Sequence, residues 1–189
     1  MTDLVALFTG SIERFVDRVD HVGDAQWSAP TPCSEWDVRT LVNHVTYEQL
    51  WAPHITAGET IEQVGDRYEG DVLGDDPAAS ARAATHGSTF AFGAADLADI
   101  VHLSFADLPC REYLVQMLTD AEVHGWDLAR ATGQDATLAP AAVAVLLPAA
   151  IQQEELLRSS GMFGEVVAVA GDADDATRLL ALLGREARD

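Results

Sequence analysis

Hydrophobic residues recur every three or four positions along most of the chain, a spacing typical of amphipathic helices. The first stripe predicts a helix over residues 2–23. A second helix is predicted to begin near Glu35, because Ser34 and Asp37 are spaced like a capping box, and to continue to about residue 55. The N-terminal third of the chain therefore consists mainly of two long helices.

Three further helices follow from the same pattern. Small residues predict one over residues 77–93, and Pro109 is expected to open a strong one that stops at Gly133. Pro140 opens a fifth, which is predicted to end near residue 161. The segments without a helical stripe are an acidic, glycine-rich loop at 58–76, an extended stretch at 99–105 and a short extended piece at 166–169.

Long amphipathic helices with little strand predict an all-α fold, a helical bundle. We expect this bundle to occupy residues 1–163. Residues 164–189 are then a C-terminal tail that carries a short helix at 176–183 and packs on the bundle.

Charge and cysteine content narrow the function. The 31 acidic and 11 basic residues give a net charge of −20, which repels phosphate backbones and anionic lipid, so we expect no nucleic-acid partner and no membrane partner. Cys33 and Cys110 are too few and too far apart for a disulfide framework or a zinc-finger pattern. No secretory signal or apolar span is recognisable. A cytoplasmic protein is expected.

The candidate chemistry lies on the fourth helix. Asp120 and His124 are one turn apart and project to one margin of its apolar stripe, whereas Glu122 projects to the opposite face and is expected to contact water. A partly buried carboxylate needs a partner. Either the two side chains share a hydrogen bond in the core, or they bind a divalent cation.

A third ligand is available on the second helix, where His44 and Glu48 lie on the flank of the apolar stripe. If His44 faces Asp120 and His124, two imidazoles and one carboxylate would hold a divalent metal with an open coordination position.

The other ionisable candidates are less specific. His21 and His86 are expected at the surface, His54 and His102 beside a cleft, and Cys33 either buried or reactive near a helix N-terminus; the four tryptophans are expected to pack in the core or at its rim.

Two segments carry a family resemblance. The segments TPCSEWDVRTLVNHV (31–45) and DAEVHGWDLARATG (120–133) resemble the hallmark segments of the metal-binding domain of mycothiol-dependent maleylpyruvate isomerase, a branch of the DinB-like superfamily. The similarity extends over most of residues 1–160. It implies a four-helix bundle in which His44, Asp120 and His124 bind a divalent metal, zinc or alternatively nickel. The isomerase itself has glutamate where this chain has Asp120.

The resemblance also implies a chemistry. In thiol-transferase members of this superfamily, the open metal position is thought to bind and deprotonate a low-molecular-weight thiol, so mycothiol is the expected cosubstrate, together with an electrophilic substrate. The isomerase has a further C-terminal domain. In this chain about thirty residues follow the last predicted bundle helix, too few for an independent domain, so we do not expect maleylpyruvate isomerisation. The alternative is a non-catalytic, metal-stabilised binding module. Bundles of this size commonly pair, and a homodimer is considered although the net charge opposes it.

Overall fold

The structure, a computed structural model, describes residues 3–155 and 164–187. The chain forms two compact units, Met1–Ala136 and Thr137–Asp189. The described residues are mostly helical with one two-stranded hairpin, which confirms the predicted all-α class. The predicted domain boundary lies after residue 163. Residues 156–163 are outside the described residues, so this boundary stays a prediction.

The first unit contains four long helices and a few short elements. Its helices are α1 (Leu4–Asp20), α2 (Val38–Thr56), α3 (Ile61–Val64), α4 (Pro77–Ala94) and α5 (Cys110–Thr132). Strands β1 (Ile100–His102) and β2 (Asp107–Pro109) pair antiparallel, with Val101 opposite Leu108. The long helices α1, α2, α4 and α5 pack against one another, and their shared core includes Phe8, Phe15, Leu41, Leu114, Leu118 and Leu128.

Helix α2 begins three residues later than the sequence pattern predicts. Asp37, not Ser34, is its N-cap, and the Asp37 carboxylate accepts a hydrogen bond from the Thr40 amide at 2.8 Å. The preceding residues are held outside the helix, because Asp37 forms an isolated β-bridge with Pro30. Both candidate caps precede the same apolar stripe, so the helix face that carries His44 is unchanged.

Helix α5 is buried on two sides, since it packs against α1 as well as α2. The expectation that Glu122 contacts water is therefore wrong: Glu122 is 2% exposed and faces α1. Its carboxylate accepts hydrogen bonds from the Ser11 hydroxyl and the Arg14 guanidinium. The helix ends as predicted at Gly133, whose positive φ of 72° suits a glycine.

The second unit contains α6 (Pro140–Gln152) and α7 (Asp175–Leu182), close to the predicted start of the fifth helix and to the predicted tail helix. The predicted end of the fifth helix near residue 161 lies outside the described residues. The stretch 166–169 forms no strand, although the Val167 amide donates a hydrogen bond to the Ala181 carbonyl. Over residues 3–155 and 164–187, every helix is too short or too polar to cross a membrane.

Candidate metal centre

Helices α2 and α5 bring the three predicted ligands together within the first unit. His44 Nε2 lies 3.2 Å from Asp120 Oδ2, and His124 Nε2 lies 3.7 Å from Asp120 Oδ1. The two imidazole rings meet edge to face, with 5.2 Å between their centroids. Residues 76 positions apart in sequence thus converge on one carboxylate.

The spacing of these donor atoms suits a small divalent cation. One ligand atom from each of His44, Asp120 and His124 lies within 4.8 Å of the other two. Nitrogen and oxygen ligands about 2.0–2.2 Å from a tetrahedral zinc are about 3.3 Å from one another. The two measured separations, 3.2 Å to Asp120 Oδ2 and 3.7 Å to Asp120 Oδ1, are of this size, so the three side chains lie close enough for one ion to bridge them. Without an ion, the His44–Asp120 contact is a hydrogen bond, and His124 lies at ion-pair distance from the same carboxylate.

Asp127 supports His124 from behind, and the sequence analysis missed it. His124 Nδ1 lies 3.1 Å from Asp127 Oδ2, and the Asp127 side chain is fully buried. A carboxylate in this position favours the tautomer with hydrogen on Nδ1, which leaves the Nε2 lone pair directed at the centre. The i, i+3 spacing of His124 and Asp127 was the available signal.

Two residues from the loop before α2 complete the surroundings. The Trp36 ring lies 4.7 Å from the His44 ring and 5.5 Å from the His124 ring, between centroids, so this tryptophan packs directly on both candidate ligands. Cys33 Sγ donates to Asp127 Oδ2 at 3.7 Å. Cys33 is half-buried, and it forms a second donor group with His124 and Asp127 in which the ligand atoms also lie within 4.8 Å.

The electrostatics of the centre couple three side chains. Burial lowers the pKa of His44, but the hydrogen bond that its imidazole donates to Asp120 and the Asp120 charge outweigh burial, and the net shift of this pKa is upward. Burial, with the Asp120 charge, raises the pKa of Glu48 to about 7. An imidazole must be neutral to bind a metal, so protons and a cation compete for His44.

A cleft of about 320 Å³ begins beside the centre. Glu48, one turn after His44, and Gln116, one turn before Asp120, both line it. The other lining residues come from α2, α3, the β1–β2 loop and the start of α5: Tyr47, Trp51, Ile55, Ile61, Leu103, Ser104, Phe105 and Tyr113. A molecule in this cleft would lie about one helical turn from His44 and Asp120.

The remaining histidines form contacts away from the centre. His21 and His86 are exposed, as predicted. His54 Nδ1 lies 3.0 Å from a Glu59 carboxylate oxygen, at the C-terminal end of α2, and His102 Nδ1 lies 2.8 Å from an Asp107 carboxylate oxygen across the hairpin. None of the four contributes to the donor groups found among the described residues.

Comparisons with known proteins match this arrangement of helices. The family model of the mycothiol maleylpyruvate isomerase N-terminal domain matches residues 8–129. Two uncharacterized proteins of Mycobacterium tuberculosis, from strains CDC 1551 / Oshkosh and ATCC 25618 / H37Rv, are each 31% identical over 182 residues, covering 93% of this chain and 94% of the relative.

The fold is also shared with solved structures. Two crystal structures of mycothiol-dependent maleylpyruvate isomerase, one of them of a histidine-to-alanine mutant, superpose with a TM-score of 0.63. Sequence identity is 14% and 15%, and the match covers 87% of this chain and 73% of the isomerase. The likeness confirms the DinB-like helical bundle.

Proposed function

Because the chain belongs to the family of the mycothiol maleylpyruvate isomerase N-terminal domain, we propose that it binds a divalent metal and uses it to activate a low-molecular-weight thiol. The ligands in this proposal are His44, Asp120 and His124, and the thiol is mycothiol or a close analogue. The activated thiol is then transferred to an electrophilic substrate. The convergence of three donor atoms from two helices, beside a cleft, is the observation that carries the proposal.

Zinc suits the donor set, since imidazole nitrogens and a carboxylate oxygen are among its usual ligands, and nickel accepts the same atoms. Asp120 is one methylene shorter than the glutamate of the isomerase, and α2 and α5 lie close enough here for aspartate to reach both imidazoles. A bound divalent cation stabilises a thiolate relative to a thiol and so lowers the thiol pKa.

The chain's own residues hold the ligands in place. Asp127 keeps His124 in the tautomer that presents Nε2, and Trp36 packs over both imidazoles and limits the approach of water from that side.

Both cysteines are free thiols, and a thiol cosubstrate needs a reducing compartment, so a cytoplasmic location is part of the proposal. Whether two chains pair stays a prediction.

We expect Asp127→Asn to weaken zinc binding about 10- to 100-fold while the protein stays folded. The asparagine amide has nearly the same shape but no charge, so it orients the His124 imidazole less strongly and lowers its basicity. Competition titration with a chromophoric chelator measures the affinity. Glu59→Gln is the matched control, because Glu59 contacts His54 in the same way but away from the centre. Equal affinities in the two variants would contradict the supporting role of Asp127.

The proposed function is tested most directly with cobalt-substituted protein and mycothiol. Binding of the thiol sulfur should produce a thiolate-to-cobalt absorption band and the release of a proton, because the coordinated thiol is deprotonated. S-methylated mycothiol, which has no thiol proton, is the matched control and should produce neither signal. The metal-loaded enzyme should then form a conjugate between mycothiol and an electrophile, and a metal-free sample should not.

A second outcome would favour the metal-stabilised binding module. Because His44 and His124 belong to helices far apart in sequence, a cation between them stabilises the folded chain whether or not it performs chemistry. If the metal raises the melting temperature but mycothiol produces no band, no proton release and no conjugate, the transferase proposal is wrong and the module is supported.

A further inference from the structure

The cleft beside the candidate centre continues the same two helix faces that carry the ligands. Along α2, Tyr47 and Glu48 follow His44 by three and four residues, and Trp51 follows one turn later. Along α5, Gln116 precedes Asp120 by four residues. These spacings place the side chains on one face of each helix, so the cleft begins about one helical turn from His44 and Asp120.

The cleft lining is apolar and rich in aromatic rings. Seven of its ten residues are aromatic or aliphatic, and the hydroxyl groups of Tyr47 and Tyr113 add polar edges to flat rings. Phe105, at the tip of the β1–β2 hairpin, is 64% exposed although it lines the cleft. An exposed aromatic side chain at the mouth of an apolar cleft favours a ligand with a flat apolar surface.

The charge of the lining restricts the ligand further. Glu48 is the acidic residue of the lining, and no arginine or lysine is found among the described residues that form it. The chain has no lysine at all. A carboxylate placed in the cleft would lose water without gaining a cationic partner and would be repelled by ionised Glu48. A divalent cation at the centre offers little compensation, because Asp120 and a bound thiolate together balance its charge.

We propose that this cleft binds the electrophilic substrate of the thiol transfer, and that this substrate is an uncharged aromatic or conjugated compound and not a carboxylic acid. The inference rests on the proposed function for the identity of the reaction. In a conjugate addition, the thiolate sulfur forms the new S–C bond and the C=C electron pair moves onto the conjugated carbonyl. The proton lost by the thiol then returns to the enolate carbon, so the transfer needs no oxidant or reductant.

The test compares two unreactive ligands with the same ring system, 2-naphthamide and 2-naphthoate, by calorimetric titration of the full chain at pH 8. We expect the uncharged amide to bind at least about tenfold more tightly than the carboxylate, because the carboxylate is desolvated without a partner. Gln116→Arg supplies that partner and should strengthen naphthoate binding relative to naphthamide binding, so the preference for the amide should shrink. Equal affinities for the two ligands, or no binding of either, would overturn the proposal.

Two exposed phenylalanines provide a matched pair that locates the binding site. Phe105→Ala should weaken naphthamide binding several-fold, because Phe105 lines the cleft, whereas Phe90→Ala should not, because Phe90 is 74% exposed on α4 and lies outside the lining. Both side chains are too exposed for their loss to unfold the chain. Equal effects of the two substitutions would show that the ligand binds elsewhere.

The two proposals fail separately. Naphthamide binding is measured in both chelator-treated and metal-loaded protein, so it does not depend on thiol activation. If naphthamide binds as expected but mycothiol gives no cobalt band, the proposed function is wrong and only the ligand class of the cleft survives. If the cobalt band forms but naphthamide does not bind, thiol activation stands and the proposed substrate class is wrong.

Discussion

Replacing His44 by alanine should reduce the divalent metal bound per chain from about one equivalent to nearly none. His44 supplies one of three donor groups, and without it the only donors from the proposed set are Asp120 and His124, which sit one turn apart on a single helix. The cation would then no longer join α2 to α5. His124→Ala should have the same effect on the metal. His44 is the better test, because its side chain is 29% exposed and its loss leaves no large void, whereas His124 is buried against Asp127.

Elemental analysis after dialysis against a weak chelator measures the bound metal, and circular dichroism checks that the variants are folded. His86→Ala is the control, since His86 is an exposed histidine on α4 and should leave the metal content unchanged. If the parent protein itself holds no metal after reconstitution with zinc or nickel and is nevertheless folded, the metal proposal is wrong. The hydrogen bond between His44 and Asp120 then joins α2 to α5 without a metal.

The helices of the bundle could be predicted from the sequence because each buries one stripe of hydrophobic residues with a period near 3.6. Helix α5 illustrates this well: Pro109 and Gly133 mark its ends, and the structure places it at Cys110–Thr132. The start of α2 was harder to predict, because Ser34 and Asp37 are both suitable caps and the choice depends on the bridge between Asp37 and Pro30. The bridge between Pro30 and Asp37 depends on the conformation of the loop before α2, and it produces no periodic pattern in the sequence.

The proximity of the proposed ligands could be anticipated from local spacing together with a family resemblance. Asp120 and His124 are neighbours on any helix, but the sequence does not specify the rotation of α2 that brings His44 to within 3.2 Å of Asp120. Glu122 was misplaced for a related reason. A single apolar stripe on α5 predicts that Glu122 contacts water, whereas the helix lies between α1 and α2 and buries both faces.

The cleft was beyond prediction because its lining comes from several separate elements. Trp51 on α2, Leu103 in the β1–β2 loop and Tyr113 on α5 have no common sequence pattern, and they meet only because the hairpin packs near both helices. The sequence predicts that Trp36 packs in the core or at its rim. In the structure its ring packs on the imidazoles of His44 and His124, two of the candidate ligands. Features that depend on how elements pack together therefore required the structure.

Arg14→Ala should lower the free energy of unfolding by about 2–3 kcal/mol. The Glu122 carboxylate is 1% exposed, and the substitution removes the guanidinium that is hydrogen-bonded to it in a site that water does not reach, although the nearby Arg18 charge remains. The Ser11 hydroxyl still donates to Glu122, and Arg14 is itself 39% exposed, so the loss is smaller than for a fully buried pair.

Arg82→Ala is the matched control for this substitution. Arg82 pairs with Asp20, but the side chains are 57% and 33% exposed, so its removal should cost about 0–1 kcal/mol. Urea denaturation of metal-free protein, followed by circular dichroism, measures both variants. Because the Arg14–Glu122 pair joins α1 to α5 while the candidate ligands join α2 to α5, Arg14→Ala should lower stability without changing the affinity for zinc of the folded protein. Equal losses from the two substitutions would mean that water reaches Glu122 and that burial does not amplify the charge pair.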